Sequence, residues 1–415
     1  MLKSEVLEII SNGENSGVEF KRDDCRPEQL AREVVALTNL RGGRILLGVE
    51  DDGAISGIRR ENLEEWVMDT VLGRKVHPLI LPFYEVVMMD DAKRVAVIGF
   101  TQGASKPYVL RHNGREEIYV RVGSVSRRAT REQQARLFAA GGMLHTEMLP
   151  VSGASVDALD LERLRDYLGN VLSDPEVPSA SEEWVQRLCG LGIMIEVPDS
   201  VPVCTIAGLV LFGHQPRRYL RQAGVRVMAF SGIDKEYQAR LDEVLDGPMV
   251  GLWKKEADGA RQLVSPGVIE AFAQTCRPFV SDENDSINEG MRRDRIWHYP
   301  FDALREIVIN ALVHRDWTRF TDIEISAYSN RLEVISPGAL QNTMTVEKMI
   351  AGQRSPRNPL IVEVLRDYGY VDARGMGIRT KVIPLMEKEN GIGPLFEATD
   401  DYLKTTLFRA DNERG

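Results

Sequence analysis

Three polar side chains fall at intervals of four in the stretch ALREIVINALVHRDW, residues 303–317: Glu306, Asn310 and His314. Their neighbours Leu304, Ile307, Val308, Ile309, Ala311, Leu312 and Val313 make the rest of the stretch apolar. Residues i, i+4 and i+8 of a helix share one face, so the three form a narrow polar stripe on a helix that is otherwise buried. A buried carboxylate or amide left unsatisfied costs about 1–3 kcal/mol, so the stripe needs partners. Two readings meet that need: an internal hydrogen-bond network or helix pair, and a face turned towards a ligand.

Two further groups of residues could do chemistry. Near the N-terminus, GENSGVEFKRD carries Glu14, Glu19 and Lys21, and the two-residue strand period puts Glu19 and Lys21 on one face. They suit either a salt bridge or part of a carboxylate site. The segment 104–136 is basic: Lys106, Arg111, Arg115, Arg121, Arg127, Arg128, Arg131 and Arg136 stand against only Glu116, Glu117 and Glu132. Arg121 and Ser124 flank a strand-to-turn junction at Gly123, where backbone amides can approach a phosphate. Tyr108 and Tyr119 offer stacking faces. The plain alternative is a solvated charged surface.

The elements that must position these groups follow from pattern and breakers. A short helix over 4–10 ends at Ser11-Asn12-Gly13, a strand starts at Val18, and a helix over 27–38 is stopped by Asn39 and Gly42-Gly43. A buried strand over 44–49 runs into the turn Glu50-Asp51-Asp52-Gly53. Breakers between 141 and 153 mark a linker. Helices are expected over 157–172, 182–190 and 249–273, an apolar helix or strand over 203–213, and a strand over 225–231. That order is open to a winged helix, but no basic recognition helix follows. Beyond the striped helix come a hairpin of strands 322–328 and 331–335, the turn Ser336-Pro337-Gly338, a helix from Pro359 to Arg366, another opening at 374–378, and a strand over 402–409.

Composition sets outer limits. Hydrophobic content of 43% and charged content of 27% are those of a globular protein, and no apolar run approaches the roughly 18 residues of a membrane helix. No membrane association is therefore expected. The N-terminus lacks a signal-peptide layout, and Cys25, Cys189, Cys204 and Cys276 are scattered without metal spacing, which fits a cytoplasmic protein. A net charge of −10 argues against blanket coating of nucleic acid but leaves room for a local basic patch.

The order GENSGVEFK, helix, TNLRGGRILLGVEDDGAISGI, then Lys106-Pro107-Tyr108, IYVRVGS and Arg128-Ala129-Thr130 resembles the Schlafen AlbA-like nucleic-acid-binding domain. The resemblance spans about residues 10–138. It implies contacts to DNA or RNA through Lys21, Lys106, Tyr108, Arg121, Ser124, Arg127 and Arg128. In vertebrate Schlafen proteins the domain is implied to be an endoribonuclease using three acidic residues, which map onto Glu14, Glu19 and Asp51. Converging, they could hold Mg²⁺ or Mn²⁺ and activate water. The acidic pattern is also found in bacterial relatives described as regulators, so cleavage and binding both stay open.

The C-terminal order (striped helix, hairpin, Pro337-Gly338, Arg357-Asn358, then Gly375-Met376-Gly377) resembles a GHKL-type ATP-binding module often labelled as helicase-related. No G-x4-GK[ST] phosphate loop occurs, so a P-loop helicase is excluded. The resemblance implies that Asn310 holds the Mg²⁺ of ATP and that Glu306 orients or deprotonates the attacking water. It further implies that His314, Pro337, Gly338, Arg357, Asn358, Gly375 and Gly377 face the cofactor, with Arg374 as a second source of positive charge. GHKL proteins usually place an adenine-binding aspartate after the hairpin; here the sequence is Ile335-Ser336-Pro337-Gly338-Ala339. Binding without rapid hydrolysis, and a pocket that is only vestigial, follow as alternatives. No winged helix is expected after the module, since the sequence ends at Gly415.

The expectation is therefore an α/β (α+β) multidomain protein. A Schlafen AlbA-like domain occupies 1–140, a connecting region 141–290, and a GHKL-like α/β sandwich 291–415. The family implies a nucleic-acid-binding transcriptional regulator or defence-type protein controlled by ATP, acting as a homodimer. The alternatives are a metal-dependent ribonuclease and an assembly scaffold.

Overall fold

Helix α1 (Lys3–Asn12), strand β1 (Val18–Lys21), helix α2 (Pro27–Asn39) and strand β2 (Gly42–Leu47) begin the chain in the computed structural model. The structure describes residues 1–103, 105–255, 261–287, 293–341, 344–372 and 377–410. The chain divides into two compact units, Met1–Leu144 with Gln341–Thr343, and His145–Leu340 with Met344–Gly415. Mixed α/β architecture holds in both. Among the described residues no helix is long and apolar enough to cross a membrane.

In the first unit β1 and β2 pair in parallel, because α2 carries the chain back over the sheet between them. Strands β3 (Phe83–Met88) and β4 (Arg94–Thr101) complete a four-stranded sheet in the order β1-β2-β4-β3. Alternation fixes its two faces. Ile45, Leu47, Ala96, Ile98 and Phe100 pack on Leu30, Val34 and Leu37 of α2, whereas Phe20, Leu46, Val95 and Val97 pack with Val6 of α1. The turn from α2 into β2 requires glycine: Gly42 has φ +83°, and a Cβ there would collide with the Phe100 carbonyl. Strands β5 (Tyr119–Val122) and β6 (Val125–Arg128) form a separate hairpin.

The second unit is built on a six-stranded sheet. Helix α3 (Ile206–Phe212) precedes strands β7 (Val225–Ala229) and β8 (Leu241–Leu245), and helix α4 (Val268–Val280) precedes α5 (Phe301–His314). Strands β9 (Ile323–Ala327) and β10 (Arg331–Pro337), helix α6 (Pro359–Asp367), and strands β11 (Leu395–Ala398) and β12 (Tyr402–Phe408) follow, with sheet order β8-β7-β9-β10-β12-β11. Val227, Ile325, Val334 and Leu407 share one core with α3, α4 and α5. Residues of opposite parity form ion pairs on the other face, such as Arg226–Asp242 and Lys404–Glu397, giving a two-layer sandwich.

Two expectations need correction. The boundary at 290/291 falls inside the second unit, because β7 of the supposed connecting region pairs in parallel with β9 of the C-terminal hairpin. The single helix expected over 249–273 is instead a pair of antiparallel strands, Leu252–Lys255 and Arg261–Ser265, followed by α4. Pro266-Gly267 supplies the break, and Gly267 serves as the N-cap of α4.

Candidate functional site

Helix α5 has the predicted stripe. Eight of its side chains are buried, from Ala303 to Val313, while Glu306 and Asn310 are half-buried and His314 is exposed. The Asn310 amide donates to Glu306 Oε1 at 3.4 Å, which leaves the Asn310 carbonyl oxygen available. Gly377 lies against Glu306 so closely that a Cβ there would collide with the carboxylate. Crowding of the His314 ring by protein and then the Arg357 guanidinium both disfavour the imidazolium. Solvent reaches the exposed ring and screens both effects without reversing them, and His314 is held neutral at physiological pH.

The other residues expected to face a cofactor do different work. Arg357 is buried in an ion pair with Asp316 at 3.0 Å and also donates to the Ala339 carbonyl. Asp316 in turn accepts from the Thr318 N–H and hydroxyl, and its own N–H donates to the Pro337 carbonyl. Gly338, at φ +112°, passes so near Asp316 that no Cβ fits. Asn358 is wholly buried and donates to the carbonyls of Val313 and Arg315, both at 2.9 Å. It thereby satisfies carbonyls that the last turn of α5 leaves open. Pro337, Gly338, Arg357 and Asn358 thus fix where α5 ends and where His314 sits. Gly375 and Arg374 lie outside the described residues.

Sequence reasoning missed Asp316 and Arg315. The Arg315 guanidinium is buried over the Trp317 ring, 4.3 Å from its centroid, and donates to carbonyls of Gln222, Arg319 and Thr321. Their signal was present in the same motif, where HRDW places two charges directly after an apolar run.

The first unit rearranges its predicted residues more thoroughly. The Arg121 side chain has no exposure, and it pairs with Glu19 at 2.5 Å and Glu33 at 3.0 Å. It also donates to the carbonyls of Asn15 and Val18. Lys21 pairs with Glu19, and Ser126 donates to Glu33. Burial, and then the neighbouring Glu33 charge, raise the Glu19 carboxyl above its ordinary range, against the pull of Lys21 and Arg121. Arg121 is therefore a structural cation rather than an exposed nucleic-acid contact, because its strand parity points it at α2. Glu33 had a visible signal: a lone acid among Leu30, Ala31, Val34 and Val35.

Lys106 is buried and donates to the Leu40 carbonyl at 2.8 Å, and Tyr108 is a core residue 4% exposed, so neither forms an open face. Ser124, Arg127 and Arg128 are exposed on the β5–β6 hairpin, where Arg128 pairs with Glu117. The expected convergence of Glu14, Glu19 and Asp51 is not seen. Glu14 accepts from the Phe20 N–H, Glu19 is held by two cations, and Asp51 is exposed in a turn. Among the described residues no group of three or more His, Cys, Asp or Glu is placed to hold a metal ion.

The fold and sites define a chain of two kinds of module, one AlbA-like and one ATPase-like. Residues 14–130 match the family model described as Schlafen, AlbA_2, and residues 321–407 match the one described as Putative ATP-dependent DNA helicase recG C-terminal. The chain therefore joins a Schlafen AlbA-like domain to an ATPase-like module, the makeup of a nucleic-acid-related, ATP-linked protein. The striped helix lies just ahead of the second match.

No curated protein matches the chain. Solved structures that resemble it include two of bacterial proteins. One is the crystal structure of the DIP2311 protein from Corynebacterium diphtheriae, at 20% identity and TM-score 0.43, covering 99% of this chain and 80% of that one. The other is the solution structure of the N-terminal domain of a Putative ATP-dependent DNA Helicase RecG-related Protein from Nitrosomonas europaea. It shares 20% identity at TM-score 0.24, covering 31% of this chain and 94% of that one.

Proposed function

We propose that this is a cytoplasmic nucleic-acid-binding protein whose second unit binds ATP·Mg²⁺, with nucleotide state controlling its assembly as a homodimer. The role is that of a transcriptional regulator or defence-type protein. The observation that carries the reading is the α5 stripe, three polar groups at the accessible edge of a buried helix with the Gly377 backbone pressed against Glu306. The residues suit the ligand. The Asn310 carbonyl is a hard oxygen donor for Mg²⁺, which takes few protein ligands and keeps phosphate and water oxygens. Glu306 would orient a water, and neutral His314 can donate to a phosphate without adding a second cation beside Arg357.

Binding of DNA or RNA by the first unit is supported by the family match and by the exposed Arg127 and Arg128. Metal-dependent cleavage is the weaker reading, since Glu19 is neutralised by Lys21 and Arg121. The test is thermal unfolding with and without ATP·Mg²⁺. Ligand at about 100 times its dissociation constant should stabilise by about 2.7 kcal/mol, and Asn310→Ala should abolish the gain. No shift in the wild type would refute nucleotide binding and leave the scaffold reading.

A further inference from the structure

The sheet of the first unit carries a cleft of about 820 Å³ that none of the candidate site residues lines. Helix α1 covers only part of its face. Beyond α1, strand register lines up one cross-sheet row: Phe83 opposite Gly99, Gly99 opposite Arg44, and Arg44 opposite Val18. Residues in one row point to the same side, so Phe83 and Arg44 stand as two walls with glycine between them. Two strand spacings separate those walls by about 9.5 Å. Two ring planes enclosing a third need about 7 Å, from the 3.4 Å stacking distance of bases. The slot therefore has room for one flat ring.

The walls are unusual for a protein surface. Phe83 is 75% exposed, on the edge strand of the sheet. Arg44 is exposed, and its side chain makes no hydrogen bond or ion pair among the described residues. The two acids at the cleft are already satisfied: Glu85 pairs with the N-terminal amine, and Glu5 accepts from the Leu2 N–H. Arg44 is thus the cation of the cleft left without an acidic partner among the described residues. Gly17 and Gly43 also line the cleft and add no side chain to fill it.

We infer that this cleft binds single-stranded nucleic acid, one base slotting over Gly99 between Phe83 and Arg44, with the adjoining phosphate on the Arg44 guanidinium. An aromatic wall and a planar cation both stack on any base, which gives affinity without sequence preference. A duplex keeps its bases stacked and cannot offer one to the slot. The inference rests on the reading of the first unit as the nucleic-acid-binding part, and it gives that unit a preferred substrate class.

The test uses the full chain and fluorescein-labelled dT12, rU12 and a 12-base-pair duplex, followed by anisotropy. Gly99→Val is the steric probe, because a Cβ there meets only Phe83, at 3.6 Å, and valine suits a strand. Phe83→Ala and Gly99→Val should each weaken single-strand binding by about 5- to 100-fold and leave duplex binding unchanged. Arg44→Gln should lower the salt dependence by about one counterion. Wild-type binding that all three variants retain overturns the cleft while sparing the nucleic-acid reading, as does binding of duplex alone. Wild type that binds none of the probes overturns both. A change in sedimentation mass with Phe83→Ala, without a change in binding, assigns the exposed edge to a second copy and also overturns the proposal.

Discussion

Glu147 offers a sharp test of how the second unit is held together. Its carboxylate has no exposure, and it accepts from the N–H of Leu360 at 2.8 Å and of Ile361 at 3.0 Å. Those donors belong to the first turn of α6, which has no intrahelical partner for them. Burial opposes ionisation and the two backbone donors favour it; burial wins, and the carboxyl is pushed up to about 7 from 4.5. A raised carboxyl favours the protonated native state, so its contribution is complete below about pH 4.5 and is lost as pH rises through about 7. Between pH 5 and pH 7 the loss amounts to about 2 kcal/mol. Glu147→Gln removes the titration and one acceptor, at a pH-independent cost of about 1 kcal/mol. Urea unfolding of both proteins across this range gives a difference curve in which every other carboxylate cancels. The wild-type advantage should shrink by about 2 kcal/mol from pH 5 to pH 7. A flat curve, or one that rises with pH, would refute the reasoning and show that the helix N-terminus keeps Glu147 charged.

Arg121→Met should strand Glu19 and Glu33 in the interior and cost about 3–5 kcal/mol, while exposed Arg127→Gln costs less than about 0.5 kcal/mol. Melting without nucleic acid reads this directly, and equal melting points would contradict the buried-cluster reading. Gly377→Ala forces a methyl group into the Glu306 carboxylate, and titration with ATP·Mg²⁺ should show affinity reduced about tenfold. Unchanged affinity would mean that Glu306 does not face the nucleotide.

What the sequence revealed and what it concealed divide by the range of the interaction. The α5 stripe was legible because the helix period alone decides which residues share a face, and from Glu306 onward the structure leaves only Glu306, Asn310 and His314 of that helix accessible. The strand alternation that made Glu19 and Lys21 neighbours was legible for the same reason. Partners far apart in the chain were not. Arg121 meets Glu33 across 88 residues, and Glu147 meets Ile361 across 214. Charge type and local period describe Arg121 equally well as a phosphate contact and as a buried cation. The choice is made by which strand face meets α2, and that depends on packing of the whole unit. Asn358 shows the same limit from the other side. Its position just before Pro359 marks a helix start, but its amide is spent on the end of α5, a helix that finished 44 residues earlier. A short polar motif therefore identifies where chemistry can occur more securely than it identifies which of its members touch the ligand. At this site the three residues on the stripe stay accessible for the role proposed for them, and the Arg357–Asn358 pair supplies the frame that holds the end of their helix.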